Sequence, residues 1–117
     1  MAPLPRRLPS AERAIVDATK ITEYLLNASH PDNGGKARFF QSLGFSATAP
    51  MLLSAALRAQ ATSGEVVQES TSAHGTKYVV DGQLEVADGR RRAVRTVWII
   101  DAGQELPRLV TAYPRGE

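Results

Sequence analysis

The hydrophobic period of this 117-residue chain changes once, at Ser63-Gly64, and that change restricts the fold more than any other feature. Before it, apolar residues recur at three- and four-residue spacings; from Glu65 onward they alternate. The first pattern puts an apolar stripe on a helix, and the second puts an apolar face on a strand. Helices followed by hairpin-linked strands make an α+β fold, with N-terminal helices packed on a C-terminal antiparallel β-sheet meander.

The first nine residues, with three prolines and Arg6-Arg7, are expected to be a flexible arm without the apolar stretch of a signal peptide; residues 10–117 form a single α+β domain. Ala14-Ile15-Val16 fits a short strand or a helix start. Lys20–Asn27 reads as a short helix, with Ile21, Tyr24 and Leu25 at i, i+3, i+4. Residues 28–35, with His30, Pro31 and two glycines, read as a loop. A second helix is expected from about Gly35 to Leu43, closed by Gly44 as its C′ residue. A third spans Met51–Ala61, capped from Ser46-Ala47-Thr48, with Pro50 near its first turn and Met51, Leu53, Ala55, Ala56 and Leu57 as its apolar face.

In the second half, Glu65–Glu69 is a short strand and Ser70–Gly75 a polar loop. Thr76–Val80 and Gln83–Val86 are strand-like, with a bulge or tight bend expected at Asp81-Gly82. Asp88-Gly89 opens a hairpin into Arg92–Ile100, and Arg108–Tyr113 closes the sheet. Strict alternation puts Val94, Thr96, Trp98 and Ile100 on one face and Arg95 on the other. It also groups Leu109, Thr111 and Tyr113 opposite Arg108, Val110 and Ala112, and sets Tyr78 and Val80 against Lys77 and Val79. One of Arg95 and Thr96 must therefore point into the core.

Composition narrows the function classes. The chain has no cysteine, which removes thiolate chemistry and fits a reducing, cytoplasmic setting. No apolar run reaches the roughly 20 residues of a membrane span, so no membrane partner is expected. Its acids show no ligand spacing and its two histidines stand far apart, so no metal and no cofactor are expected. Net charge is only +2, but four arginines fall between Arg90 and Arg95 with no acid among them. Such local density attracts phosphates when it lies on one face.

Several segments resemble a bacterial family of uncharacterised domains, domain-of-unknown-function family 6883, in order along the chain. They are Lys20-Ile-Thr-Glu-Tyr-Leu-Leu-Asn27, His30-Pro31, Gly35-Lys36-Ala37-Arg38-Phe39-Phe40 with Leu43-Gly44-Phe45, Gly75-Thr-Lys-Tyr-Val-Val-Asp-Gly82, Val94-Arg-Thr-Val-Trp-Ile-Ile100 and Val110-Thr-Ala-Tyr-Pro114. Val110–Pro114 and the Lys36…Gly44 pair also resemble the barnase/EndoU/colicin/RelE-like ribonuclease toxins. That second resemblance implies metal-independent RNA cleavage by the ribose 2′-hydroxyl, which needs a base, an acid and a cation. RNA and a cognate antitoxin or immunity protein are the partners it implies.

The residues that fit those roles are few. His30 and His74 are the only histidines, and histidine is the residue type suited to general acid–base work at physiological pH. Lys36 stands at a helix start behind Gly34-Gly35, where N–H groups and an ammonium can hold phosphate, although the sequence is no P-loop. Arg95, Thr111 and Tyr113 suit a phosphate-binding sheet surface. The expected catalytic set is His30, Arg95, Thr111 and Tyr113; the expected substrate-binding set is Lys36, His74 and Lys77. Each has an ordinary structural alternative, and two other functions fit the chain: a non-catalytic, antitoxin-like or accessory protein-binding module, and a small-molecule binder.

Overall fold

The computed structural model describes residues 6–27, 34–86 and 88–115. A single turn, Ala11–Arg13, leads to α1 (Ala18–Lys20), which runs directly into a π turn over Ile21–Leu25. Helices α2 (Gly34–Ser42) and α3 (Pro50–Ser63) follow, then strands β1 (Glu65–Ser72), β2 (Gly75–Glu85), β3 (Arg91–Asp101) and β4 (Arg108–Pro114). The strands pair in sequence order as an antiparallel meander, so the expected α+β architecture holds. Ile15 adds one parallel bridge to Arg108 at the β4 edge.

Helix α2 ends on Gly44 at φ 97°. The Gly44 N–H reaches the Gln41 carbonyl at 2.9 Å and the Phe45 N–H reaches Phe40 at 3.2 Å, the paired bonds of a Schellman close. Helix α3 begins with Pro50 after Ala49, whose side chain offers no cap. Ser46 and Thr48 bond to one another instead of capping it. Its buried side is Leu53, Ser54, Leu57, Gln60 and Ala61, whereas Met51 is largely exposed. The arm expected over residues 1–9 is described only from Arg6: Leu8 is buried, the Arg6 carbonyl accepts from Val66, and Arg7 donates to the Ser63 and Gly64 carbonyls at 2.6 Å each.

Helix α3 lies on one face of the sheet. Val66, Val80, Leu84, Val94, Thr96, Trp98, Leu109 and Ala112 from the strands are buried in the same core. At its centre the Gln60 amide donates to the Val94 carbonyl (2.7 Å) and the Val80 carbonyl (3.2 Å), and accepts from Thr96 (2.8 Å). Trp98 Nε1 donates to the same threonine oxygen at 2.7 Å, so every polar group of the cluster is paired. Thr96 is thus the inward residue, and Arg95 takes the opposite face.

Four local expectations are corrected. Ser70–Ser72 continue β1, and the turn shrinks to Ala73-His74. An edge strand exposed on both sides needs no apolar residues, so polarity there did not mark a loop. Asp81-Gly82 does not interrupt β2, which is one strand in continuous register with β3. Gly82 suits the close approach there: a Cβ would stand a tight 3.1 Å from the Gln60 carbonyl and from Gly64 Cα. In β4 the register shifts, Val97 facing Thr111 but Trp98 facing Leu109, so Val110 is an extra, bulged residue. The bulge reverses parity: Leu109 joins Ala112 in the core, and Thr111 and Tyr113 go to the Arg95 face without it. The short helix expected over Lys20–Asn27 is in fact the π turn joined to three residues of α1.

Candidate functional site

Three elements remote in sequence meet at the outer strand β4. Tyr24 comes from the π turn, Lys36 from the first turn of α2, and Thr111 from β4 just after the bulge. The Lys36 ammonium donates to the Tyr24 hydroxyl at 2.7 Å and to the Thr111 hydroxyl at 3.0 Å, and the two hydroxyls are 3.3 Å apart. Each local feature serves this meeting. A π turn widens the helix and re-aims its side chains, a distortion common at functional sites. The bulge turns Thr111 out of the core. Buried Ala37 and Phe40 seat α2 so that the half-buried Lys36 is kept near β4.

Aromatic faces surround the ammonium. Lys36 Nζ lies 5.0 Å from the Tyr24 ring centre and 5.8 Å from that of Tyr113, and Lys20 Nζ lies 5.2 Å from Tyr24. Burial alone would raise the Tyr24 phenol. The hydrogen bonds from Lys36 and Thr111, with the charges of Lys36 and Lys20, outweigh it and hold the group below the usual tyrosine value.

One register step along the sheet, Arg95 faces Tyr113 on β4 and Asp81 on β2. Asp81 takes Arg95 bidentately, at 2.6 Å from Nε and 2.8 Å from Nη2, and also forms an ion pair with Arg115, whose Nε stands 3.2 Å away. The Arg95 bonds hold the Asp81 carboxyl below the usual carboxylate range against its burial, and the Arg115 charge adds to this. Arg95 is pushed higher still by Asp81, with the Tyr113 hydroxyl contributing. Two guanidiniums on one carboxylate, beside Lys36 and Lys20, leave the region cationic.

The structure therefore brings Lys36, Arg95, Thr111 and Tyr113 together. It does not bring His74 or Lys77 to them. His74 sits in the β1–β2 turn, where its carbonyl accepts from Ala102 and Gly75 pairs with Asp101. That is six residues along β3 from Arg95, about 20 Å at strand spacing. Lys77 shares the Arg95 face but is four residues along β2 from Asp81, about 13 Å. His30 lies outside the described residues. Among the described residues, no group of three or more His, Asp or Glu is arranged to hold a metal ion.

Sequence reasoning missed Tyr24, Asp81 and Arg115. Tyr24 stood in the quoted Lys20–Asn27 segment as a core-facing helical residue. A polar-tipped aromatic a dozen residues before a glycine-flanked lysine was the available signal. Asp81 carried a signal too, as an acid placed among strand residues opposite an arginine, but reading it required the β2–β3 register.

The model of a protein family, Domain of unknown function (DUF6883), matches residues 7–116. No curated protein matches the chain. Among solved structures, a chain of the "Contact-dependent growth inhibition toxin - immunity protein complex from Klebsiella pneumoniae 342" has the same fold, with a TM-score of 0.69 at 15% identity over 92% of this chain and 97% of that chain. No helix among the described residues is long and apolar enough to cross a membrane.

Proposed function

The chain belongs to the DUF6883 family, and from its site we propose that it is an RNA-directed domain that cleaves the strand without a metal. The observation that carries this reading is the Lys36 ammonium within 2.7 and 3.0 Å of the Tyr24 and Thr111 hydroxyls, beside Arg95 and Tyr113. An ammonium and two hydroxyls drawn from three separate elements suit a scissile phosphate, whose non-bridging oxygens gain charge as the phosphorane forms.

In the proposed reaction the ribose 2′-oxygen attacks the adjacent phosphorus and its proton passes to a base. The bond from phosphorus to the 5′-oxygen breaks, and that oxygen leaves with a proton from an acid. The products are a 2′,3′-cyclic phosphate and a 5′-hydroxyl. Lys36 and Thr111 steady the phosphoryl oxygens, and Arg95 adds charge from the sheet. Tyr24, acidified by Lys36, is the proton donor. His30 is the base in this reading; it belongs to the stretch of chain joining Tyr24 to Lys36.

A cognate protein partner of immunity type is part of the proposal, supported by the toxin–immunity complex whose chain shares this fold. An RNA substrate implies action in the cytoplasm. The test is incubation of the purified protein with total RNA in excess EDTA, alongside double-stranded DNA. RNA alone should be degraded. Intact RNA would refute cleavage, and a tight protein complex in its place would favour the non-catalytic binding module.

A further inference from the structure

The Tyr24–Lys36–Thr111 cluster is one end of a longer cationic row. The Arg95–Tyr113 pair lies two residues along each strand from the Val97–Thr111 pair, Arg95 before Val97 and Tyr113 after Thr111, a displacement of about 7 Å. There the Asp81 side chain, only 8% exposed, holds Arg95 and Arg115 at once, while those arginines remain 33% and 55% exposed. Arg115 is brought in by its own backbone, whose N–H reaches the Ala93 carbonyl at 3.0 Å.

A pairing made only for stability needs one cation per carboxylate. Here one carboxylate serves two guanidiniums, leaving a surplus positive charge. Each guanidinium carries five N–H donors; Asp81 takes two from Arg95 and pairs with the Arg115 charge at 3.2 Å, and the Tyr113 hydroxyl is a further partner of Arg95. The remainder are available on stiffly held, solvent-facing groups, a geometry that matches phosphate oxygens. The Tyr113 ring stands in the same row, with Lys36 on one side at 5.8 Å and Arg95 as its register partner. Cations that track a backbone, with an aromatic ring among them, are what a single strand requires: charges for the phosphates and a platform for a base.

We propose that Arg95 and Arg115, yoked by Asp81, hold a second backbone phosphate next to the one at Lys36. The substrate is then a single-stranded RNA spanning at least two consecutive phosphates, with one base stacked on Tyr113. This rests on the RNA reading above and adds to it a strand-binding subsite and a length requirement.

The experiment titrates the full chain with 2′-fluoro oligonucleotides, which lack the attacking hydroxyl, carrying one or two phosphodiesters. Binding is followed by chemical-shift changes at several salt concentrations. The second phosphodiester should tighten binding about tenfold, and Arg115→Gln should abolish that difference and reduce the salt slope by about one. Equal affinity for the two oligonucleotides, or equal weakening of both by Arg115→Gln, overturns the subsite even where RNA is still cleaved. The expected length dependence in a protein that leaves RNA intact upholds the subsite and removes only the cleavage. Failure to bind either oligonucleotide overturns the subsite and the RNA reading together.

Discussion

Replacing Gln60 by leucine should destabilise the domain by about 2–4 kcal/mol although the volume is nearly conserved. The amide is fully buried and donates to the Val94 and Val80 carbonyls while accepting from Thr96. Leucine leaves the Thr96 hydroxyl without its acceptor and the Val94 carbonyl without this donor. Each newly unpaired buried group costs about 1–3 kcal/mol, partly offset by the added apolar burial. Thr96→Val breaks the same chain elsewhere, leaving the Trp98 N–H and the Gln60 oxygen unpaired, for a similar loss of about 2–4 kcal/mol. Because the two share a bond, the double variant should lose less than the sum, by about 1–2 kcal/mol. Urea unfolding followed by the fluorescence of Trp98, the only tryptophan, measures all three. Single variants within about 0.5 kcal/mol of wild type, or strict additivity, would refute the idea that this network pins α3 to the sheet.

The remaining predictions concern charge and close contact. If Tyr24 acts as an acid, cleavage should fall at alkaline pH through a midpoint below the usual tyrosine value of 10.0; Lys36→Met removes the charge that favours the phenolate, so any residual activity should show that limb moved upward. Asp81 is depressed from its usual 3.8, so its stabilisation is complete above that value and is lost as pH falls through the lower, folded-state value. Asp81→Asn should therefore flatten the acid limb of stability below about pH 4, measured by thermal melts across pH. Gly64→Ala should cost about 2 kcal/mol or more, because its Cβ would sit 2.7 and 2.8 Å from the Gln60 and Asp81 carbonyl oxygens; an unchanged melting temperature would contradict the packing of α3 on β2.

The fold was legible where one physical pattern acted alone. The change of period at Gly64 separated helices from strands, and Gly44 marked the end of α2 because a left-handed C′ residue favours glycine. Misreadings arose where a second influence overrode the pattern. The extra residue Val110 is unmarked in a β-branched run, yet it reverses the facing of Leu109. Asp81-Gly82 has the composition of a turn, but its glycine answers to Gln60 on the helix packed against that face of the sheet. In the site, the residue types at Lys36, Arg95, Thr111 and Tyr113 were readable because cations and hydroxyls on a sheet are chemically conspicuous. Tyr24 was not, since its helical spacing with Ile21 is also that of a core residue, and its tip meets Lys36 only through tertiary packing. His74 and Lys77 stand apart from this cluster, a separation not legible beforehand because residue type alone says nothing of the distance along a strand.

The central claim is that the Lys36–Tyr24–Thr111 cluster steadies a phosphate under attack by the neighbouring ribose hydroxyl. End-group analysis of a short single-stranded RNA, incubated in EDTA with wild-type protein and with Lys36→Ala, tests it most directly. The account predicts 2′,3′-cyclic phosphate and 5′-hydroxyl ends from the wild type, and a rate lower by about 100- to 1000-fold in the variant. Products bearing a 5′-phosphate, or a Lys36→Ala protein that cuts as fast as the wild type, would contradict it.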